Sequence, residues 1–194
     1  MKNAKNKLTI GITGTIGSGK STITNCFKQL GYNIFDSDSI NNDLLFNDSL
    51  IQKQLKDNFI ECYDNNILNK NKLSNLVFSN NDKRNKLNSI MHPNIITKLD
   101  NFINDNDIAV CEVPLLFELN LQNKFDIIIL VISNIDIIKE RLMNKGYDLN
   151  KINNILEIQC KSKDIESFAN IIFYNNTTKD DLEKEVYEWI KGNL

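Results

Sequence analysis

The sequence is poor in the residues that punctuate or decorate most chains. Its 194 residues include 3 Ala, 2 Arg, 2 Pro, 1 His and 7 Gly. So little proline and glycine excludes a collagen-like chain or a Pro-rich linker. With one histidine, and with Cys26, Cys62, Cys111 and Cys160 far apart and no C-x-x-C, neither a zinc site nor a redox dithiol is expected. The cysteines read instead as reduced thiols of a cytoplasmic protein. Long apolar runs are also missing: the longest, Ile127–Ile132, falls far short of the ~20 residues that span a bilayer. Met1–Lys7 is basic but runs directly into Leu8-Thr9-Ile10-Gly11 without an apolar core, so no signal peptide is expected. Neither sign of charge is in large excess, the net being −2. The expected partners are therefore small molecules, with no nucleic acid, no membrane and no obligate protein partner.

What is abundant is asparagine, with 32 residues, and isoleucine, with 28, a bias that suggests an AT-rich coding sequence. Such a bias replaces residues wherever the physics is indifferent, so each surviving Gly, Pro, Arg or His becomes a pointer. At 41% hydrophobic and 25% charged residues the chain is an ordinary folded one, of a length suited to one domain with embellishments.

Short apolar runs alternate with segments of helical period, as in β-α units on a parallel sheet. The pattern predicts strands at Leu8–Ile12, Asn33–Phe35, Ile108–Val113, Ile127–Ile132 and Ile171–Tyr174. It predicts helices at Lys20–Leu30, Ser39–Phe46, Lys83–Asn104, Ile135–Asn144, Lys151–Ser162 and Lys179–Lys191. The segment of roughly 70 residues between the second and third strands is too long for a plain crossover and is expected to be an inserted helical subdomain. A second excursion, about Lys145 to Phe168, is lysine-bearing and lid-like.

The strongest motif is Gly14-Thr15-Ile16-Gly17-Ser18-Gly19-Lys20-Ser21, a full G-x-x-x-x-G-K-[ST] match between an apolar strand and a helical pattern. In so glycine-poor a chain it would arise by chance about 0.003 times. Glycines allow successive backbone N–H groups to turn onto a phosphate, and the following helix aims its positive end at the same place. Lys20 can neutralise β- and γ-phosphate oxygens and the Ser21 hydroxyl can ligate Mg²⁺, so a nucleoside triphosphate with Mg²⁺ is the expected ligand.

Three further strings compete for a role. Asn123-Lys124-Phe125-Asp126 matches the N-K-x-D of guanine readers, but this composition produces it by chance about 0.3 times, and it precedes a strand instead of following one. Asp36-Ser37-Asp38 follows a strand end, where ligands of a parallel sheet collect; it offers either a base and a metal anchor or a helix cap. Glu112, closing an apolar strand before Pro114-Leu115-Leu116-Phe117-Glu118, has the Walker-B arrangement of a metal carboxylate, against a plain edge-strand acid paired with a lysine.

Taken in order, these strings resemble the dephospho-coenzyme A kinase family. The likeness runs from Gly11-Ile12-Thr13-Gly14 through Asp36-Ser37-Asp38, Leu76-Val77-Phe78-Ser79, Met91-His92-Pro93 and Glu112–Glu118 to Arg141-Leu142, Gln159 and Asn175. The resemblance implies an α/β, three-layer P-loop NTPase fold with a five-stranded parallel sheet. It divides the chain into a core (1–36, 106–140 and 168–194), a helical CoA-binding insertion (37–105) and a helical lid (141–167). It implies transfer of the ATP γ-phosphate to the ribose 3′-hydroxyl of dephospho-CoA, the last step of coenzyme A synthesis, with insertion and lid closing to exclude water. ATP would be held by Gly14, Thr15, Ile16, Gly17, Ser18, Gly19, Lys20, Ser21 and Thr22, with Asn175 beside the adenine. Asp38 would be the general base, Lys20 and Arg141 would stabilise charge on the transferring group, and Ser21, Asp36 and Glu112 would serve the metal. His92, Pro114, Leu115 and Leu116 would join Asp38 in shaping the acceptor site.

The chain departs from the family pattern at Thr15, commonly Gly, and at Lys145, commonly Arg. Ser162 and Ile165 stand where arginines are usual, with only Lys161 and Lys163 nearby, and Ala169-Asn170 replaces Ala-Asp. These changes leave the chemistry in place and predict a weaker lid. The alternatives are another P-loop kinase of a nucleoside or small metabolite, a GTPase-like switch, and a non-catalytic ATP-binding remnant.

Overall fold

Ile and Val, stiff at χ1 and suited to a pleated surface covered on both faces, dominate the strands of the sheet. In the computed structural model, β1 (Leu8–Gly14), β2 (Ile34–Asp36), β5 (Ile108–Glu112), β6 (Ile127–Ile132) and β7 (Ile171–Tyr174) form one parallel sheet in the order β2-β5-β1-β6-β7. The structure describes residues 7–149, 152, 153, 155, 156 and 165–194. All five strands stand where the apolar runs predict them, β6 and β7 with the predicted bounds and the other three with ends displaced by one or two residues.

Two units make up the chain, Met1–Asp36 with Ile103–Leu194, and Ser37–Phe102. In the first, α1 (Lys20–Gln29), α6 (Ile135–Asn144), the single turn α7 (Ile165–Phe168) and α8 (Lys179–Asn193) accompany the sheet. Ile23, Cys26 and Phe27 of α1 and Leu182, Val186 and Ile190 of α8 pack with Ile10, Ile12, Val110, Ile129, Val131 and Phe173 of the strands. Each such large side chain removed from water contributes about 1.5–3 kcal/mol. A capping box fixes the start of α8: the Thr178 hydroxyl accepts from Asp181 N, and Asp181 Oδ2 accepts from Thr178 N, each at 3.2 Å.

The second unit contains α2 (Ser37–Asn47), α3 (Ser49–Asn58), the hairpin β3–β4 (Tyr63–Asp64 and Ile67–Leu68), α4 (Lys70–Ser79) and most of α5 (Asn81–Asp105). Leu44, Ile51, Leu55, Phe59, Leu73 and Met91 are among its core residues. Helix α5 runs on through Pro93, whose ring nitrogen cannot donate to the turn before it; there the Asn94 side chain donates to Ile90 O at 2.8 Å. The helix expected over Lys151–Ser162 falls largely outside the described residues, although 152, 153, 155 and 156 are helical.

Candidate functional site

In a parallel sheet the backbone dipoles and loops converge at the carboxyl ends of the strands, and β1 ends there in the glycine-rich loop. Helix α1 begins at Lys20, directly after Gly19. Gly14 and Gly19 have φ of 142° and 110°, which side-chain-bearing residues rarely adopt. Space forbids a side chain as well: a Cβ on Gly14 would lie 2.3 Å from Val131 O, and one on Gly19 would lie 2.1 Å from Asn175 Nδ2. Thr15 is not among the described non-glycine residues with positive φ, so threonine is accommodated where the related pattern has glycine.

Lys20 is only 8% exposed and donates through Nζ to Gly14 O at 2.9 Å and Thr15 O at 3.0 Å, which places its ammonium over the loop. A cavity of about 450 Å³ opens beside it, lined by Gly17, Gly19, Lys20, Ser21 and Thr22 together with Glu112, Arg141, Asn144, Lys145, Asn175 and Lys179. Four cationic side chains face this space against one carboxylate, an arrangement that favours a polyanion.

That carboxylate, Glu112, ends β5 and accepts from Thr24 Oγ1 at 2.7 Å; the same hydroxyl lies 3.0 Å from Lys20 O. Asp36 pairs with Glu112 across the β2–β5 ladder, so the two acids sit side by side on one face of the sheet. Asp38 lies two residues further, inside the first turn of α2. The helix already begins at Ser37, so neither Ser37 nor Asp38 is the cap before Ile40 that the sequence allows.

Arg141 spends its guanidinium on the protein itself. Nη1 donates to Gly17 O (3.3 Å) and Ser133 Oγ (3.1 Å), and Nη2 to Asn175 O (3.2 Å) and Asn175 Oδ1 (3.1 Å). Asn175, 4% exposed, donates through Nδ2 to Ser18 O at 2.7 Å. The two residues expected beside the transferring phosphate and the adenine are thus bonded to the back of the loop, and both also line the 450 Å³ cavity. Sequence reasoning missed Thr24 and Ser133, because a lone hydroxyl carries no spacing signal.

A second cavity, of about 200 Å³, includes the start of the loop in its wall. Thr13, Gly14, Thr15, Pro114, Phe117, Glu118, Ile138, Ile165 and Glu166 are among the residues lining it. Pro114 and Phe117 face it, and Phe117 also packs at 6.0 Å against Phe168. Leu116 does not face it: fully buried, it closes on β1, where a Cβ on Gly11 would meet Leu116 Cδ1 at 2.8 Å. Leu116 therefore packs against β1, and neither it nor Leu115 lines this cavity. His92 lies in α5 of the other unit, half-buried, with burial holding its pKa below the ordinary value.

Asn123–Asp126 takes no part in either cavity. Asp126 Oδ2 accepts from Thr9 N and Thr9 Oγ1, both at 2.8 Å, and Asp126 N donates to Thr9 Oγ1 at 2.9 Å. Those bonds pin β6 to β1 at the amino end of the sheet, opposite the loop, and exclude a guanine-reading role for this string in this fold. Gln159, Lys161, Ser162 and Lys163 lie outside the described residues.

A family model described as dephospho-CoA kinase matches residues 8–181. The dephospho-CoA kinase of Borreliella burgdorferi is 35% identical over 97% of this chain and 95% of its own length. That of Fusobacterium nucleatum is 31% identical over 91% of this chain and 94% of its own. The structure of a dephospho-CoA kinase from Campylobacter jejuni superposes with a TM-score of 0.68 at 21% identity, covering 96% of this chain and 98% of the other, and shares the fold.

Proposed function

The chain belongs to the dephospho-CoA kinase family, ATP-dependent enzymes that phosphorylate the ribose 3′-hydroxyl of dephospho-CoA, and we propose that the 450 Å³ cavity beside the glycine-rich loop is where it holds the ATP phosphates. The observation that carries this assignment is the lining of that cavity: loop glycines, Lys20 and Ser21 at the start of a helix, with Arg141 and Lys145 opposite. Loop amides from Gly14 to Thr22 and the Lys20 ammonium bind and orient the phosphates, leaving the γ-phosphoryl group in line with the acceptor. Lys145, exposed at the end of α6 and on the wall of the same cavity, adds a further cation for the phosphate charge, while Arg141 also holds the Gly17 carbonyl of the loop.

Asp38 is assigned as the group that accepts the 3′-hydroxyl proton, a role supported by its place in the D-x-D string just beyond the end of β2. The 200 Å³ cavity, with Pro114 and Phe117 on its wall, is assigned to the acceptor. The helical unit that carries His92 is assigned to the rest of dephospho-CoA, and residues 141–167 to a lid.

The residues present suit Mg²⁺. Ser21, Asp36 and Glu112 offer only oxygen donors, the preference of a hard divalent cation. Among the described residues no three His, Cys, Asp or Glu side chains gather into a cage, so the ion would complete its shell from phosphate and water. When bound, Mg²⁺ supplies neutralisation of phosphate charge. Among the described residues no helix is long and apolar enough to cross a membrane. A cytoplasmic setting is supported by cysteines that stand buried and free at 26, 62 and 111.

The assignment is tested by following ADP release with and without dephospho-CoA in the parent enzyme and in Lys20→Met. Acceptor-dependent release that Lys20→Met abolishes is expected; unchanged release in the variant would remove the cavity from the mechanism.

A further inference from the structure

Ser133 follows β6 and is 7% exposed, yet no recognised string contains it. Its Oγ lies 2.7 Å from Asn175 O and 3.1 Å from Ser18 O, sharing one proton between two carbonyls, and accepts from Arg141 Nη1 at 3.1 Å. One hydroxyl thus joins the end of β6, the end of β7, helix α6 and the glycine-rich loop. Asn175 Nδ2 adds a 2.7 Å bond to the same Ser18 carbonyl, and Arg141 holds the carbonyl before it, Gly17 O, at 3.3 Å.

The direction of these bonds has a geometric consequence. A trans peptide is planar, with its C=O and its N–H pointing opposite ways, and the described residues contain no cis bond. Donors that fix the Ser18 carbonyl therefore also fix the direction of the Gly19 N–H, and Gly19 lines the 450 Å³ cavity. We propose that Ser133 is a positioning residue for nucleotide binding, its hydroxyl closing a clamp of Asn175 and Arg141 on the Ser18 and Gly17 carbonyls that holds the Gly19 N–H toward the phosphates. The inference rests on assigning ATP to that cavity. Without the hydroxyl, the Asn175 and Ser18 carbonyls lose a buried donor and Arg141 loses an acceptor, so the loop samples orientations that a phosphate must then reorganise.

The experiment compares the parent enzyme with Ser133→Ala and Ser133→Thr. It measures calorimetric binding of Mg·ATP and of tripolyphosphate, amide hydrogen exchange over residues 14–22 without ligand, steady-state kinetics and Tm. Ser133→Ala should raise the Kd of both ligands and the KM for ATP by about three- to tenfold, leave kcat within about twofold, and speed exchange in the loop. Ser133→Thr, which keeps the hydroxyl, should stay near the parent in ligand affinity even if its added methyl lowers Tm. A lowered Tm in Ser133→Ala with unchanged Kd and exchange would make Ser133 a packing residue and overturn the clamp. A parent enzyme that binds neither ligand would overturn the ATP assignment itself, and the clamp with it.

Discussion

Thr24, on the inner side of helix α1, donates its hydroxyl to Glu112 Oε2 at 2.7 Å and so ties the helix that follows the glycine-rich loop to the acid that ends β5. A carboxylate fixed by a buried hydroxyl loses little orientational freedom when it meets a cation or its waters. Thr24→Val removes the donor at nearly constant shape. The concentration of Mg²⁺ for half-maximal activity should rise about three- to tenfold, with kcat at saturating Mg²⁺ little changed. Thr24→Ser should behave as the parent, and Glu112→Gln should exceed the valine variant. A Mg²⁺ titration of the four proteins checks the order.

Asp38 stands in the first turn of α2, where replacement by asparagine keeps volume and polarity. If it accepts the hydroxyl proton, Asp38→Asn lowers kcat by about 10²–10⁴ while ATP binding survives. Near-normal turnover, followed by ADP release, would transfer the role elsewhere.

The Thr9–Asp126 bonds join β1 and β6 at the end of the sheet away from the loop. Asp126→Ala should cost about 1–2 kcal/mol of stability in urea unfolding, because Thr9 N and Oγ1 lose their acceptor. The preference for ATP over GTP in a competition assay should not move. A change in base preference would revive the N-K-x-D reading.

Burial pushes the Cys111 thiol from an ordinary pKa of 9.0 up to about 12. The unfolded chain then releases this proton before the folded one, so the thiol's contribution to stability is complete below pH 9.0 and is lost as pH rises toward about 12. Cys111→Ala should flatten the decline in stability over that window, as read by urea unfolding at stepped pH. Equal slopes in parent and variant would assign the alkaline loss to other groups.

The sheet was legible because Ile-Ile-Ile-Leu-Val-Ile at 127–132 and Ile-Ala-Val-Cys at 108–111 are short, largely β-branched apolar runs of the kind that strands covered on both faces show. The glycine-rich loop was legible because glycine is rare here and the motif stands between a strand and a helix. The second unit was less so, since α3 and α4, at 10 residues each, carry only a few apolar positions from which to read a period. One signal there was available: Asn65 and Asn66, with φ of 48° and 66°, form the turn of the β3–β4 hairpin, and an Asn-Asn pair suits positive φ.

At the site, residue types were easier to read than their partners. Lys20, Ser21 and Glu112 gather at one cavity as their motifs imply. The bonds that turn Arg141 and Asn175 onto the loop join residues 124, 34 and 157 positions apart, a proximity created by strand order alone. Leu116 is apolar and sits in the acceptor string, but only the structure shows that it faces β1.

The most direct test of the account is to incubate the purified enzyme with Mg·ATP and dephospho-CoA and to locate the transferred group by mass spectrometry and phosphorus NMR, with adenosine and AMP as control acceptors. The account predicts one added phosphate on the ribose 3′-hydroxyl of dephospho-CoA and none on the controls. Phosphorylation of adenosine or AMP with dephospho-CoA untouched would contradict it.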